Sequence, residues 1–520
     1  MHIVSLTETT GKIVWDREDW LAGYAPSVDI SRTARVRNET GALTMQDFDT
    51  HLTTLGYAYP GPLPTTVGTA PTGVLVSAEI DDAAVYAYLL GPELHRYDVT
   101  TDTLSSSAGF PHTIDDGHAG ETGALGQVVA HRTKGTASAI FYSFNDDTDG
   151  NVGVYYTASG QFHGAFMSAV PSGGAALTAG KSHPLLVTSD DLLLMGDANK
   201  VHAYKQLDES VSRNALNLPS NYEVVGMVED PIGYDTWVFA TTARGTNRRG
   251  RSKAFVWSID RPASYYKSPP IPDDEVAAPF VLDGFVGCFT RSRSVAHKSV
   301  LRLYENGEWK PKYYFTGDLP APGGVDIQNN TVIFNTNGVI HRWGPYGTRT
   351  NPASHQFATI ASGTNGGFLR AIGTNSTSTS LYGSSGSGNN GVVKFSSNYA
   401  TSATWQGCES RPDLPFGKKM KVTAVAIQLH YGGAVGRSLN MSIITEGATG
   451  AIGVFTDFAG TSDSKDTIIT YQQENFSTRD DTYTASIAPL LSWGSGSAAT
   501  SAPGIEKVEI YYELVDYVRS

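Results

Sequence analysis

Asn145, Asp147 and Asp149 stand at alternate positions just before Gly150 in the stretch FNDDTDGNVGVYYT (144–157). Oxygen ligands at every second residue, followed by a glycine that permits a sharp turn, are how short calcium loops begin. Two further ligands of such loops are missing. Tyr156 stands where a bidentate Glu would close an EF-hand, and Gly153 stands where a further carboxylate would follow the glycine. The flanking segments SAIFYSF and VGVYYT read as strands, so a hairpin turn whose Asp and Asn accept local backbone bonds also accounts for the pattern. Calcium at Asn145, Asp147 and Asp149 is therefore one reading of this loop, with the ion-free turn beside it.

Two other clusters have chemical potential. FPHTIDDGHAGETG (110–123) gathers His112, Asp115, Asp116, His118 and Glu121, which could hold a metal or form an acid–base pair if the loop folded on itself, or simply be a solvated connection. ARGTNRRGRSK (243–253) concentrates Arg244, Arg248, Arg249, Arg251 and Lys253, which reads first as a solvated hairpin tip, next as a contact for an acidic partner subunit, and last as a nucleic-acid contact. No nucleophile elbow, phosphate loop, dinucleotide fingerprint, His-Glu-x-x-His or Cys-x-x-Cys is present. Carboxylates for glycoside hydrolysis cannot be nominated from spacing, because only the fold would bring them together. Tyr265, Tyr266, Trp309, Tyr313, Tyr314, Trp343, Tyr346 and Trp405 could stack on sugars or anchor a partner, or else pack between sheets.

The elements that must position these residues are strands. Helical spacing is confined to TMQDFDTHLTTLGY (44–57), where Met45, Phe48, Leu52 and Leu55 predict one short helix. Between residues 74 and 395, apolar strands recur in groups, and Val74, Val128, Leu185, Val224, Phe280, Val325 and Phe357 serve as entry points. Their mean step, roughly 47 residues, is the length of a four-stranded propeller blade. Six or seven blades are expected, with a pair of β-sandwiches as the competing architecture. GTNSTSTSLYGSSGSGNNG (373–391) is nearly all Gly, Ser, Thr and Asn and reads as a loop or linker. Beyond it, KVTAVAIQLHY, SLNMSII and VEIYYELV alternate in character as half-buried strands do, predicting a β-sandwich. The expected division is an N-terminal arm with the short helix over 1–72, a propeller over 73–395 and a sandwich over 396–520.

Composition agrees with an all-β chain. Of 520 residues, 17 % are charged, while 55 are Gly and 26 Tyr. The formal charge of −13 argues against a surface built to hold nucleic acid, which needs a basic face. Cys288 and Cys408 lie too far apart, in unlike contexts, for a metal spacing and are expected to be free, buried thiols. The opening MHIVSLTETTGKIVWDREDW has charges where a signal peptide needs its apolar core, and no run reaches membrane-spanning length, so synthesis in the cytoplasm without a membrane span is expected.

LAGYAPSVDISRTARVRNETGALTMQDF resembles the opening of β-propeller structural proteins of tailed-bacteriophage virions, an extended segment with an Asn-then-Gly turn that leads into weakly similar blades. ATWQGCESRPDLPFGKKMKVTAVAIQLHY is similar to the passage in such tail-associated proteins where a Trp-containing strand closes the propeller and a sandwich begins after a basic stretch. The chain is considerably shorter than the family's longest tail-nozzle members, so the resemblance does not fix a place within the virion. The resemblance implies a non-enzymatic virion protein of the tail or neck, present in several symmetric copies and acting through contacts with other virion proteins. Its N-terminal arm would close the ring or lie on a neighbour. A receptor- or carbohydrate-binding tail protein, meeting a host surface glycan, is the alternative, and a propeller glycosidase or lyase the next.

Overall fold

The computed structural model describes residues 10–15, 42–46, 48–49, 59–67, 74–81, 85–106, 109–114, 123, 126–132, 138–146, 148–230, 232–233, 235–242, 252–259, 263–292, 298–328, 330–336, 338–345, 352–359, 367–375, 378–384, 391–400, 402–407, 414, 417–430, 437–445, 448–456, 467–472, 483–484, 486–495 and 504–516. Strands dominate them, and the α-helix they contain is the single turn Phe166–Ala169. No helix among them is long and apolar enough to cross a membrane. The chain divides into two compact units, Thr65–Ile340 with Ile360–Phe395, and Met1–Pro64 with His341–Thr359 and Ser396–Ser520.

Seven small antiparallel sheets follow one another along residues 62–399. The first is Ser77–Ile80, Tyr86–Leu90 and Glu93–Asp98 with Thr103–Leu104 and His112–Thr113 at its edge. The second is Val128–Arg132, Ser138–Asn145, Gly150–Tyr156 and Gln161–His163, and the third Leu185–Val187, Leu192–Asp197, Lys200–Lys205 and Ser210–Asn217. The fourth has three strands, Tyr222–Glu229, Thr236–Thr242 and Lys253–Trp257. The fifth is Glu275–Leu282, Phe285–Arg291, Lys298–Glu305 and Glu308–Thr316, and the sixth Val325–Gln328, Thr331–Thr336, Val339–Pro345 and Pro352–Thr359. The seventh joins Leu369–Asn375, Ser378–Gly383 and Val392–Tyr399 to a strand from far earlier in the chain, Pro62–Val67.

Sheets that are apolar on both faces need a neighbour on each side. Leu90, Tyr142 and Phe144 share one cluster between the first two sheets; Phe141, Leu193 and Met195 fill the next gap, and Leu194, Val238 and Trp257 the one after. Trp237, Phe239, Val286 and Trp309 join the fourth sheet to the fifth. Phe334 of the sixth meets Phe289 and Phe315 of the fifth, with ring centroids 4.6 and 4.9 Å apart. Asn335 of the sixth donates to the Ser384 carbonyl, just past a strand of the seventh, at 2.8 Å. Phe368, Tyr382 and Val392 at the seventh then pack with Leu75, Ala87, Leu89 and Tyr97 of the first. The run of sheets closes on itself.

In the fourth sheet, the edge beyond Lys253–Trp257 is covered by bridges to Lys267 and Pro270 instead of a regular strand. Pro269 and Pro270 have no N–H to give a ladder, which explains the irregular edge.

Three expectations are corrected here. The 373–391 segment is not a linker: it contributes the end of one strand and all of Ser378–Gly383, because Leu381 and Tyr382 are buried against neighbouring sheets and outweigh the polar composition around them. Phe357 consequently lies in the last strand of the sixth sheet, and the seventh begins at Leu369. The start of the expected 44–57 helix is extended, since Ala42–Gln46 pairs with Ser402–Gly407, Met45 opposite Trp405. Phe48–Asp49 is also a strand, while Leu52 and Leu55 lie outside the described residues. Long-range pairing has overridden a local three-four spacing.

The other unit contains two five-stranded sheets. One runs Thr10–Trp15, Gly504–Asp516, Lys418–His430, Thr467–Gln472, with Tyr483–Thr484 also paired to Lys418–His430. The other runs Ala42–Gln46, Ser402–Gly407, Ile487–Ser495, Arg437–Thr445, Ala448–Thr456. Trp15, Val425, Ile427, Val508 and Ile510 from the first share one buried cluster with Trp405, Leu439, Met441, Leu491 and Trp493 from the second. Thr10–Trp15 and Ala42–Gln46 are thus strands of sheets whose other described strands come from residues 402–516. On the other face of Gly504–Asp516, Glu509 is bonded by Lys507, Tyr511 and Lys12, which hold its carboxyl well below the usual range. Trp15 is 1 % exposed, so Trp15→Ala should destabilise this unit by about 3–5 kcal/mol, as a lower midpoint in urea denaturation followed by tryptophan fluorescence.

Candidate functional site

The densest constellation of chemically capable side chains sits where the run of sheets closes. Asp102 occupies the tight turn between Glu93–Asp98 and Thr103–Leu104 with φ 54°, a left-handed conformation that Asp tolerates better than most residues. Its Oδ1 accepts bonds from the hydroxyls of Tyr97 and Tyr382, both at 3.0 Å, and its Oδ2 accepts one from Lys394 Nζ at 2.6 Å. The two tyrosine rings meet edge to face, centroids 5.6 Å apart, and the Lys394 ammonium lies 5.4 Å from the Tyr382 ring centroid. Tyr97 and Tyr382 are fully buried.

Electrostatics make this constellation a clasp. Burial pushes the Asp102 carboxyl upward, but the bonds from Lys394, Tyr382 and Tyr97 outweigh it and hold the group below its ordinary range. Burial and Asp102 together push Tyr382 up to about 12 and Tyr97 higher still, so both phenols stay neutral donors. No member is poised to exchange a proton near neutrality. The arrangement can join two sheets from distant parts of the chain through charge-assisted bonds.

Ion pairs recur at other junctions. Arg370 of the seventh sheet donates to Glu79 of the first at 2.6 Å and faces Asp326 of the sixth at 3.8 Å, with Glu79 the main cause of its firmer protonation. Arg302 of the fifth sheet, 8 % exposed, bonds Asp273 in the connection from the fourth, and Thr290 donates to the same carboxylate oxygen at 2.6 Å. The Ser384 hydroxyl donates to the Leu75 carbonyl at 2.9 Å, and that of Ser143 to the His183 carbonyl at 2.6 Å, each joining neighbouring sheets.

A buried His–Asp pair lies in the third sheet. The backbone N–H of Asn214 donates to His202 Nδ1, which leaves Nε2–H to donate to Asp197 Oδ2 at 3.3 Å. Burial would raise the Asp197 carboxyl, yet His202 and the Thr178 N–H hold it strongly ionised. His202 is fully buried, so the pair has no access to a substrate.

The calcium-type loop is a hairpin turn in which Asn145 pairs with Gly150. Asp146, not one of the three expected ligands, collects the local bonds: its Oδ1 accepts from the backbone N–H groups of Thr148 and Asp149 and from the Thr148 hydroxyl. Asn145 Nδ2 donates to the Lys181 carbonyl at 2.9 Å, and Asp147 lies outside the described residues. A Cβ on Gly150 would come 2.1 Å from His183 Nε2, so only glycine fits there. Arg244, Arg248, Arg249 and Arg251 lie outside the described residues, as do Asp115, Asp116, His118, Glu121, Cys408 and Tyr346. His112 is stacked on Phe162, centroids 3.6 Å apart. Cys288 is a free, fully buried thiol whose pKa burial pushes up.

Of the aromatics with sugar-stacking potential, Trp309, Tyr313, Trp343 and Trp405 are buried packing residues and Tyr265 is partly buried, while Tyr266 and Tyr314 are exposed. The clasp itself escaped detection because Asp102 and Lys394 are 292 positions apart. Its only local trace was the short Tyr97–Asp102 spacing.

No family model matches the chain, and no curated protein does either. Among solved structures it is similar to the extracellular domain of a hybrid two-component system from B. thetaiotaomicron, at 10 % identity and TM-score 0.43, over 79 % of this chain and 47 % of that one. The chain thus spans about half the length of that structure. It is also similar to an exo-β-1,3-galactanase from Phanerochaete chrysosporium, at 11 % identity and TM-score 0.33, over 86 % of this chain and 99 % of that one. The Dos1 propeller matches at 10 % identity and TM-score 0.37, over 63 % of this chain and 94 % of that one.

Two predictions follow from these polar groups. Asp102→Asn tolerates the same turn but leaves Lys394 without its anion, so urea denaturation at pH 7 should show a loss of about 1–3 kcal/mol. Because the Asp102 pKa is lowered on folding, the wild type's advantage should vanish as pH falls through the carboxylate range. His95, which burial lowers to about 4, stays neutral where the unfolded chain's imidazole protonates. Stability should therefore fall as pH drops from about 6.5 towards 4, and denaturation curves of His95→Gln should show a shallower fall.

Proposed function

We propose that the seven sheets are the blades of a seven-bladed β-propeller, closed by a strand from the N-terminal side, and that the second unit is a β-sandwich. On this reading the chain is a non-enzymatic structural component of a tailed-bacteriophage virion. It is made in the host cytoplasm, sits in the tail or neck, and works through contacts with other virion proteins. The observation that carries a scaffold role is the clasp at Asp102: its carboxylate, phenols and ammonium, the groups best equipped for chemistry, bond to one another across the closing sheets. Such ties suit a rigid body whose working parts are surfaces. Peptide mass spectrometry on gradient-purified phage particles should recover this chain in stoichiometric amount. Its presence only in the particle-free fraction would refute the virion role.

A second reading, attachment to a host surface glycan, is favoured by the exposed rings of Tyr266 and Tyr314 at outer edges of the fourth and fifth sheets. A glycan array with purified protein decides: signal that disappears in Tyr266→Ala or Tyr314→Ala supports attachment, and no signal leaves the scaffold role alone.

A further inference from the structure

Ile232, Tyr266 and Phe285 stand out among the described residues as large apolar side chains left in the open, at 77 %, 49 % and 43 % exposure. They gather at one end of the fourth and fifth sheets. Ile232 sits in the turn between Tyr222–Glu229 and Thr236–Thr242, and a Cβ placed on Gly284, next to Phe285, would lie 3.4 Å from its Cδ1. The Tyr266 hydroxyl donates to Asp235 in the same turn. Apolar groups held together at a surface mark a place where something else docks.

The turns that hold the patch give it an acidic rim. Asp230 and Asp235 bracket Ile232 in sequence, and exposed Asp283 precedes Gly284 and Phe285. The matching turn of the third sheet brings exposed Asp190 and Asp191, and is tied to the fourth sheet by Ser189, which bonds Glu229 through both its N–H and its hydroxyl at 2.8 Å. Among the described residues, the donors to Asp230 and Asp235 are neutral: the Trp237 indole, the backbone N–H groups of Ile232 and Gly233, and the Tyr266 hydroxyl. The neighbouring cation, Lys267, lies over the Tyr304 ring, 4.8 Å from its centroid.

Charge and shape select what covers this patch. A second copy meeting it patch to patch would set aspartate against aspartate, and such like-charge juxtaposition suppresses a pairing. An anionic lipid surface would meet the same repulsion. A sugar ring seeks a flat aromatic face, whereas the most exposed member here is the branched Ile232. We infer that the Ile232–Phe285 patch is the docking surface for a segment of another protein that brings an apolar anchor flanked by lysine or arginine. The third and fifth sheets pack on either side of the fourth. An anchor seated on Ile232 and Phe285 thus has Asp190 and Asp191 to one side and Asp283 to the other, and cations on both flanks of the segment find an anion. The inference stands apart from the virion reading, because it concerns the partner's chemistry and not the particle.

A displayed library of random short peptides, selected on the full chain and counter-selected on the Ile232→Asp, Phe285→Ser double variant, tests this. Enriched sequences should carry an aromatic or branched aliphatic residue flanked by Lys or Arg. Synthesised with a fluorophore and followed by anisotropy, they should bind the double variant about tenfold or more weakly than wild type, and lose a similar factor when salt rises from about 50 to about 500 mM. Asp190→Asn, Asp191→Asn and Asp283→Asn in one chain keep residues that tolerate the left-handed backbone at 191 and 283, and should weaken binding and flatten its salt dependence. Thermal unfolding should be unchanged in both variants. Selection that yields acidic or uncharged peptides, or none that distinguishes wild type from the double variant, overturns the proposal. So does self-association in sedimentation velocity that the double variant abolishes, which gives the surface to a second copy instead.

Discussion

Each sheet between residues 62 and 399 has apolar side chains on both faces, and the fold depends on the first and last sheets covering each other. Six junctions form between sheets adjacent in sequence, where the chain holds the partners close. The seventh joins Phe368, Tyr382 and Val392 to Leu75, Ala87 and Tyr97 across nearly the whole run, so no short connection assists it. Two ion pairs also tie it, Asp102 with Lys394 and Arg370 with Glu79. Directional bonds to buried tyrosines define a unique register there, which apolar contact alone specifies poorly.

The same logic explains why side chains with catalytic chemistry are used in architecture. His202 and Asp197 have the chemistry of a catalytic pair, but both are buried and bonded so that each satisfies the other. Arg302, Asp273 and Thr290 do likewise at the fourth–fifth junction. A buried charge left alone would cost several kcal/mol, so these groups occur as complete sets.

Much of the architecture was legible in the sequence. Six of seven entry points, from Val74 to Val325, fall in or beside the first strand of a sheet, because strand, turn and strand repeat at blade length. The seventh was misplaced because Gly, Ser and Thr between residues 373 and 391 hide a strand whose core contribution is little more than Leu381 and Tyr382. The helix expected from Met45 failed for a related reason: its true partner, Trp405, is hundreds of residues away and leaves no mark on local spacing. Alternation in VEIYYELV did reveal its inward side, since Val508 and Ile510 are buried while Glu509 is held by lysines on the opposite face. The clasp was illegible, because four side chains from three separate segments carry no motif.

Thr10–Trp15 pairs with Gly504–Asp516 along its full length. During translation at about 5–20 residues per second, the earlier segment waits on the order of 25–100 seconds before its mate leaves the ribosome. Throughout that interval Trp15 and Ile13 lack the cavity that finally receives them, and a hydrophobic strand with free backbone groups travels beside every other nascent chain on the same message.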